Sequence, residues 1–179
     1  MRVPAPLSLD DWSSFNVPYL EQLDKWGLIY EGYSGVCRSN IALAVHAPKV
    51  ASMCAFSYTA PASANGRSFC LSGTADVDAI GKIVAPGDVS TDAMRKRARY
   101  TIDVIGQNLD KLGLSWSHAN QLAIFHVANI PDLWGPSLLG GLGETLRQGV
   151  IVYRARPPIA GGEVELEARG ARQDTIVSN

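Results

Sequence analysis

The residues whose spacing most suggests chemistry are carboxylates near the C-terminus. Glu163, Glu165 and Glu167 alternate with Val164 and Leu166. Because successive side chains of a β-strand point to opposite faces, this pattern predicts a strand with one apolar face and one carboxylated face. Carboxyl groups that line a cleft can move protons as general acids or bases. The same row at an exposed sheet edge would instead be solvated and would oppose aggregation.

A second feature is an apolar run interrupted by small residues, FCLSGTADV over residues 69–77. The break at Ser72, Gly73 and Thr74 would let a ligand or another backbone segment approach closely. The predicted long helix that follows carries a cluster of positive charges, formed by Arg95, Lys96, Arg97 and Arg99. We interpret this cluster as a solvated outer face, with an anion-binding patch as the alternative.

The histidines and cysteines give no metal-binding pattern. His126 lies in an apolar run and is interpreted as a core histidine, with a ligand role as the alternative. The cysteines are predicted to be reduced core residues, with a thiol nucleophile as the alternative; they are Cys37, Cys54 and Cys70. The glycine cluster at 140–143 lacks the spacing of a phosphate-binding loop. We predict no metal and no cofactor.

The composition is that of a globular domain with a sizeable core. The chain has 179 residues, of which 46% are hydrophobic and 18% charged. A net charge of -1 gives no argument for binding to nucleic acid or to an anionic membrane. No apolar run is long enough to cross a bilayer, and MRVPAPLSLDDW lacks the core of a signal peptide. We therefore predict a cytoplasmic protein that binds neither nucleic acid nor membrane.

The N-terminal region is predicted to be a helical extension covering residues 1–39. Ser8 is placed to cap a helix and Gly27 to end it, with Pro18 as the position of a kink. Residues 28–40 are irregular and rich in glycine and serine. Residues 171–179 are predicted to be a flexible tail.

Residues 40–170 are predicted to form one domain built on a sheet. The predicted strands cover 41–47, 49–59, 67–77, 120–129, 150–155 and 163–170. A turn containing Asn65 and Gly66 would join two of them, 49–59 and 67–77, into an antiparallel hairpin. A long amphipathic helix over 90–112 and a shorter broken helix over 132–146 lie between strands. The order predicts an α+β sheet with helices packed on one face.

The pattern resembles the RidA/YjgF family and its relatives, the chorismatases. Three stretches carry the resemblance: FCLSGTADV, VAPGDVSTDAMRKRARYTIDVIGQNLDKLG and the terminal EVELEA. The upstream YSGVCRS and the segment SYTAP lean toward the chorismatase branch, in a divergent and shortened form. The resemblance implies a ββαβαββ fold, a homotrimer and active sites in the clefts between subunits.

The resemblance also implies a reaction and roles for individual residues. RidA-type deaminases hydrolyse enamines and imines derived from amino acids, so the expected partner is a small carboxylated substrate. Arg147 would bind the substrate carboxylate, with Arg154 as the second choice. Glu165 would orient or deprotonate water, with a raised pKa if it is buried. The remaining candidate site residues are Tyr58 as a hydrogen-bond donor, Ser72, Gly73 and Asn129 as holders of negative charge, and Glu167 as an alternative acid.

Two alternative functions remain open. The first is chorismatase-like hydrolysis or rearrangement of chorismate or a related enol-ether acid in secondary metabolism, although Ala128 stands where that family has an arginine. The second is a non-catalytic ligand-binding trimer.

Overall fold

The computed structural model describes residues 1–59, 61, 67–128, 134–171, 173 and 175. The strands are β1 (Arg2–Val3), β2 (Ile29–Tyr30), β3 (Tyr33–Ser34), β4 (Ile41–Leu43), β5 (Phe69–Cys70), β6 (Thr74–Ala75), β7 (Gln121–His126), β8 (Ile151–Arg156) and β9 (Glu165–Gly170). The helices are α1 (Leu9–Lys25), α2 (Thr91–Lys111) and α3 (Pro136–Leu139), with 3₁₀ segments at Trp116–His118 and Gly140–Gln148. None of the helices in this described part is long and apolar enough to cross a membrane.

The main sheet has the strand order β1-β4-β8-β7-β9-β5, and β6 also pairs with β9. Strand β7 runs parallel to β8 and antiparallel to β9. β9 therefore lies inside the sheet, with β7 on one side and β5 and β6 on the other. The carboxylates of β9 do not form the solvated sheet edge that the alternation alone allows.

Helices α2 and α3 cover one face of this sheet, which confirms the predicted α+β fold with helices on one face. The apolar face of α2 packs onto side chains of β7 and β9. Together they form a core that contains Met94, Ala98, Ile102, Ile105, Leu109, Leu122, Ile124, Val164, Leu166 and Ala168. This burial of one helix face against a sheet is the main source of stability in such an arrangement. Leu112, the last residue of the predicted helix, is 53% exposed because α2 ends one residue before it.

The opposite face of the sheet is only partly covered. Its buried cluster consists of Ile41, Ala123, Phe125 and Ala155. Phe125 stacks on Tyr153 with ring centres 5.2 Å apart, yet Tyr153 is still 37% exposed and Ile151 is 41% exposed. Glu165 belongs to this face because its neighbours in sequence, Val164 and Leu166, point toward α2.

The N-terminal helix forms as predicted, but its apolar side chains are mostly not buried. The Asp11 backbone N–H donates to Ser8 Oγ at 3.1 Å, which caps the helix. Within α1, all of whose residues are described, Leu23 alone is buried, whereas Leu20 is 46% exposed. Gly27 ends the helix with a φ of 67°. α1 is therefore a true helix that does not enter the sheet core.

The predicted antiparallel hairpin is wrong. Residues 49–59 form no strand. Within this range, which is fully described, β-type pairing is limited to an isolated antiparallel bridge between Ser52 and Arg2. Strands β5 and β6, in the second half of the predicted hairpin, pair with β9 instead. The first half has no partner strand to cover its apolar side chains, so Met53 and Phe56 are 68% and 76% exposed.

The interpretation of the α2 cations as a solvated face is wrong for Arg97. This side chain is fully buried and forms an ion pair with buried Asp76 at 2.5 Å. Its guanidinium also donates to the Ala85 carbonyl oxygen at 2.7 Å. Arg95, Lys96 and Arg99 are exposed, as predicted. A charged residue is retained inside only when paired and hydrogen-bonded, and sequence spacing does not show that a partner arrives from another element.

The broken second helix is confirmed in its described part, where Gly143, with φ 53° and ψ -123°, interrupts the 3₁₀ segment after α3. Several predictions lie outside the described residues. They are the turn at Asn65 and Gly66, the role of Asn129, and most of the tail at 171–179.

Candidate active site

A cavity of about 200 Å³ lies at the start of β9, where Glu165 is placed. Its walls come from α1, from the segment before β4, from the break before β6 and from the turn before β9. The lining residues are Trp12, Arg38, Asn40, Gly73, Ala75, Val77, Asp78, Pro158, Ile159 and Glu165. A cavity of this size suits a small metabolite and is too small for a polymer.

Glu165 is the buried titratable group of this cavity. It is 2% exposed, and its Oε2 has no hydrogen-bond partner among the described residues. Burial raises the pKa of Glu165 well above its usual range, and the negative charges of Glu167 and Asp76 raise it further. A carboxyl group whose pKa is raised keeps its proton to a higher pH than a free one, which is the property a general acid needs.

Gly73 leaves the space that the Glu165 carboxyl group occupies. A Cβ atom at Gly73 would lie 1.9 Å from Glu165 Oε1, so a larger residue would displace the carboxyl. The Gly73 N–H donates to Ser39 Oγ at 2.8 Å, and the Arg38 N–H donates to Ser72 Oγ at 3.1 Å. These bonds fasten the N-terminal segment to the break between β5 and β6. The Gly73 amide, predicted to hold negative charge on a substrate, is thus already bonded within this chain.

Arg38 enters the cavity from the N-terminal segment. Its guanidinium carbon lies 3.9 Å from the ring centre of Tyr19, 5.4 Å from that of Phe15 and 5.8 Å from that of Trp12. Its Nη2 donates to Asn16 Oδ1. These α1 residues share one helix face because they are three or four positions apart. No carboxylate among the described residues forms an ion pair with Arg38.

Asn40 adds a second polar group whose hydrogen bonding is incomplete. It is 4% exposed, and its Oδ1 lacks a hydrogen-bond partner among the described residues. Buried polar atoms are nearly always paired with protein, water or ligand. The unpartnered oxygens of Asn40 and Glu165 therefore give this cavity two acceptor groups for water or a ligand.

The two predicted carboxylate-binding arginines do not line this cavity. Arg154 in β8 lies opposite His126 in the strand register, and its charge helps to lower the pKa of that histidine. Glu165 lies on the other face of the sheet. Arg147 is exposed and precedes β8. Glu165 lies across from Phe125, which pairs with Tyr153, six positions after Arg147. A single chain thus places Arg147 at the opposite end of the strands from Glu165.

The other predicted side chains are also separated. Tyr58 is 80% exposed, with its ring 6.1 Å from that of Phe56, and does not line the cavity. Glu167 lies next to Glu165 on the same strand face and forms an ion pair with Arg169 at 3.8 Å. Glu167 therefore acts on the site through its charge, which raises the pKa of Glu165.

His126 is placed in the core, in agreement with the sequence interpretation. It is 9% exposed, and its Nε2 accepts a hydrogen bond from Trp134 Nε1 at 2.9 Å. Burial is the main cause of its lowered pKa. Across the described ranges, no group of three or more histidine, cysteine or acidic side chains could hold a metal ion.

The prediction of core residues is wrong for Cys37 and Cys54, because their apolar neighbours in sequence lie in segments at the surface, whereas all three cysteines are free thiols as predicted. Cys37 and Cys54 are exposed, and Cys70 is partly buried. A hydrogen bond with Cys70 lowers the pKa of the Cys37 thiol to about 7. The alternative of a thiol nucleophile therefore stays open.

Sequence reasoning missed Arg38 and Asn40. The signal that could have found them is the polar run Arg38-Ser39-Asn40 directly before the apolar start of β4. Polar residues at the end of a strand often face a ligand site. This run lies within residues 28–40, a segment whose apolar residues show no helix or strand periodicity.

The comparisons with known proteins give a family. The model of the family described as 2-aminomuconate deaminase CnbZ matches residues 1–175. The chain is 32% identical over 185 residues to 2-amino-5-chloromuconate deaminase from Comamonas testosteroni, with 99% of this chain and 72% of that protein covered. These two matches confirm the predicted RidA/YjgF-like resemblance.

Solved structures of low identity are also similar. The Rid-family protein YyfB from Yersinia pestis is 15% identical, with a TM-score of 0.44 over 58% of this chain and 77% of that one. TdcF from E. coli, solved with bound serine, is 19% identical, with a TM-score of 0.45 over 66% and 91% of the two chains. On the family match and the deaminase relative, this chain belongs to the 2-aminomuconate deaminase CnbZ family.

Proposed function

We propose that this chain hydrolyses a carboxylated enamine, or its imine tautomer, of the 2-aminomuconate type and releases ammonia. The observation that carries the proposal is the buried Glu165, which has a raised pKa and an unpartnered Oε2 in a cavity of metabolite size. The family membership and the deaminase relative support the same reaction.

The reaction needs proton transfers and no change in oxidation state. The enamine takes a proton on carbon and loses one from nitrogen to give the imine; water then adds to the imine carbon, forming a C–O bond, as the water loses a proton and the nitrogen gains one. The nitrogen of the resulting carbinolamine takes a further proton and leaves as ammonia, which breaks the C–N bond, while the hydroxyl group loses its proton and becomes the carbonyl of a 2-oxo acid. Glu165 accepts a proton from the attacking water and delivers one to nitrogen, since its raised pKa suits both steps near neutral pH.

The predicted arginine role remains part of the proposal, with Arg147 contributed by a neighbouring subunit. One chain holds Arg147 and Glu165 at opposite ends of the sheet strands, so only association can bring them together. The partly exposed apolar side chains of Ile151 and Tyr153 lie on the face that carries Glu165 and offer a surface for two further copies. We expect light scattering to give three times the chain mass of 19.2 kDa. A monomer mass would contradict the trimer.

The activity is tested by supplying freshly generated 2-aminomuconate and measuring ammonia with a coupled glutamate dehydrogenase assay. Glu165→Gln should lower kcat by roughly 100-fold or more, because general acid–base groups contribute about that much. Glu163→Gln is the matched control, since Glu163 does not line the cavity and its carboxylate bonds Arg156 at 3.3 Å. No ammonia from the wild-type protein, or full activity in Glu165→Gln, would refute the proposal.

The shared site is tested by mixing two inactive variants, Arg147→Ala and Glu165→Gln, under conditions that let subunits exchange. If the two residues meet between subunits, roughly a quarter of the clefts in random mixtures carry both wild-type side chains, and activity returns. If both residues serve a cleft within one subunit, mixing restores nothing. Unchanged kinetics in Arg147→Ala alone would remove this residue from the site.

A further inference from the structure

The Glu165 cavity contains a cation that the reaction described above does not use. Arg38 is half-buried, and burial lowers its pKa, although a guanidinium remains protonated in proteins. Its plane lies against Tyr19, and Asn16 accepts from one end of it. The aromatic face and the amide hold the side chain without neutralising its charge.

Arg38 is held in position by side chains on more than one segment of the chain. The aromatic rings of Tyr19, Phe15 and Trp12 enclose the guanidinium from the side of α1. The same cavity is also lined by Asn40, which is 4% exposed and has an unpartnered Oδ1. Desolvated cations are costly unless an anion pairs with them. Glu165 and Asp78 also line the cavity, but no described carboxylate forms an ion pair with Arg38, so its guanidinium is available to an anionic group of a ligand.

We infer that Arg38 binds a second carboxylate of the substrate, so that the protein selects dicarboxylates over monocarboxylates. The inference rests on the proposed function, in which Arg147 from a neighbour holds the carboxylate beside the reacting carbon. A planar guanidinium stacked on a ring is suited to a carboxylate that takes two parallel hydrogen bonds. The N-terminal segment thus sets specificity, while β9 supplies the proton-transfer group.

Two unreactive ligands that differ only in the second carboxylate test the contribution of that group to binding. Muconate is a conjugated six-carbon dicarboxylate, and sorbate has the same carbon skeleton with a methyl group in place of one carboxylate. Isothermal titration should show muconate binding the wild-type protein more tightly than sorbate. Because neither ligand carries nitrogen, this measurement does not depend on turnover.

Arg38→Met should weaken muconate binding by roughly 10- to 100-fold, the effect of losing one charge-assisted pair, and leave sorbate within about threefold. Arg38→Gln should give the same pattern and keeps the test available if the methionine variant does not fold. Arg95→Met is the matched control, because it removes an exposed charge from α2 that does not line the cavity.

Three outcomes would overturn the inference. They are equal losses for muconate and sorbate, no loss for either ligand, and a wild-type protein that does not prefer muconate. The proposed function can fail separately. A protein that binds muconate through Arg38 but releases no ammonia from 2-aminomuconate would retain the dicarboxylate site without the deaminase activity.

Discussion

Two arginines lie against the two long helices, and their surroundings differ. Arg97 projects from α2, is fully buried and pairs with Asp76 at 2.5 Å. Arg38 lies against α1, is half-buried, and has aromatic rings and an amide around it in place of a carboxylate. The first arrangement satisfies the charge within the fold. The second leaves the charge without a carboxylate partner among the described residues, which is why we propose a ligand-binding role for Arg38 and a structural one for Arg97.

The helices themselves differ in the same way. Helix α2 buries eight residues, including Met94, Ile105 and Leu109. Helix α1 buries Leu23 alone among its residues, all of which are described. Amphipathic spacing made both into helices, but only α2 meets the sheet. A helix that contributes little to the core can be used to shape a cavity wall.

The largest expected effect tests the buried pair. Arg97→Met should lower the free energy of unfolding by about 3–5 kcal/mol, because it leaves Asp76 buried without its counter-ion. Urea denaturation measures this change. Arg95→Met on the same helix is the control and should stay within about 0.5 kcal/mol, since its pair with Asp92 is exposed. Equal effects at the two positions would remove the contrast between a buried and a solvated cation.

The next effect compares the two helices with the same substitution. Leu109→Ala should cost about 2–5 kcal/mol, because Leu109 is fully buried and its loss leaves a cavity. Leu20→Ala in α1 should cost about 0.5 kcal/mol or less, since Leu20 is 46% exposed. Chemical denaturation of both variants gives the comparison. A large loss from Leu20→Ala would show that α1 is part of the cooperative core.

A smaller effect concerns Arg38. Arg38→Met should cost only about 1 kcal/mol or less of stability, the usual size of cation–π contacts at partly exposed sites. Thermal melting of this variant and of Arg97→Met would compare the loss of stability caused by removing each arginine. If Arg38→Met unfolds the protein as readily as Arg97→Met does, the guanidinium is a structural element and not a group held for a ligand.

The pH dependence of Glu165 sharpens the contrast between site and scaffold. Its folded pKa is raised well above the ordinary glutamate value of 4.5, so its contribution to stability is complete below that value and is lost as pH rises through the folded pKa. Glu165→Gln cannot ionise and should be more stable than wild type at pH 8. The two proteins should converge near pH 4 in melting experiments. A difference that does not change with pH would contradict a raised pKa.

Sequence reasoning reached the parts of the fold that local patterns encode. Periodicity and the positions of Ser, Gly and Pro predicted the capped helix α1, the apolar face of α2, the buried strand β7 and the alternation of β9. Glu165 was also reached, through its place in the terminal motif. The predicted hairpin failed because strand pairing joins distant segments, and spacing says nothing about which edge is free.

By itself, the sequence determined the family, the main helices and the choice of Glu165 as the candidate acid, because those depend on local spacing and on motif. The tertiary structure decided which charges pair within the fold and which line the cavity. Arg97 and Arg38 are both arginines in predicted polar settings, and only the arrival of Asp76 at one, and of Tyr19 and Asn16 at the other, separates them. Burial and pairing arise from contacts far apart in sequence, so no local pattern could assign them.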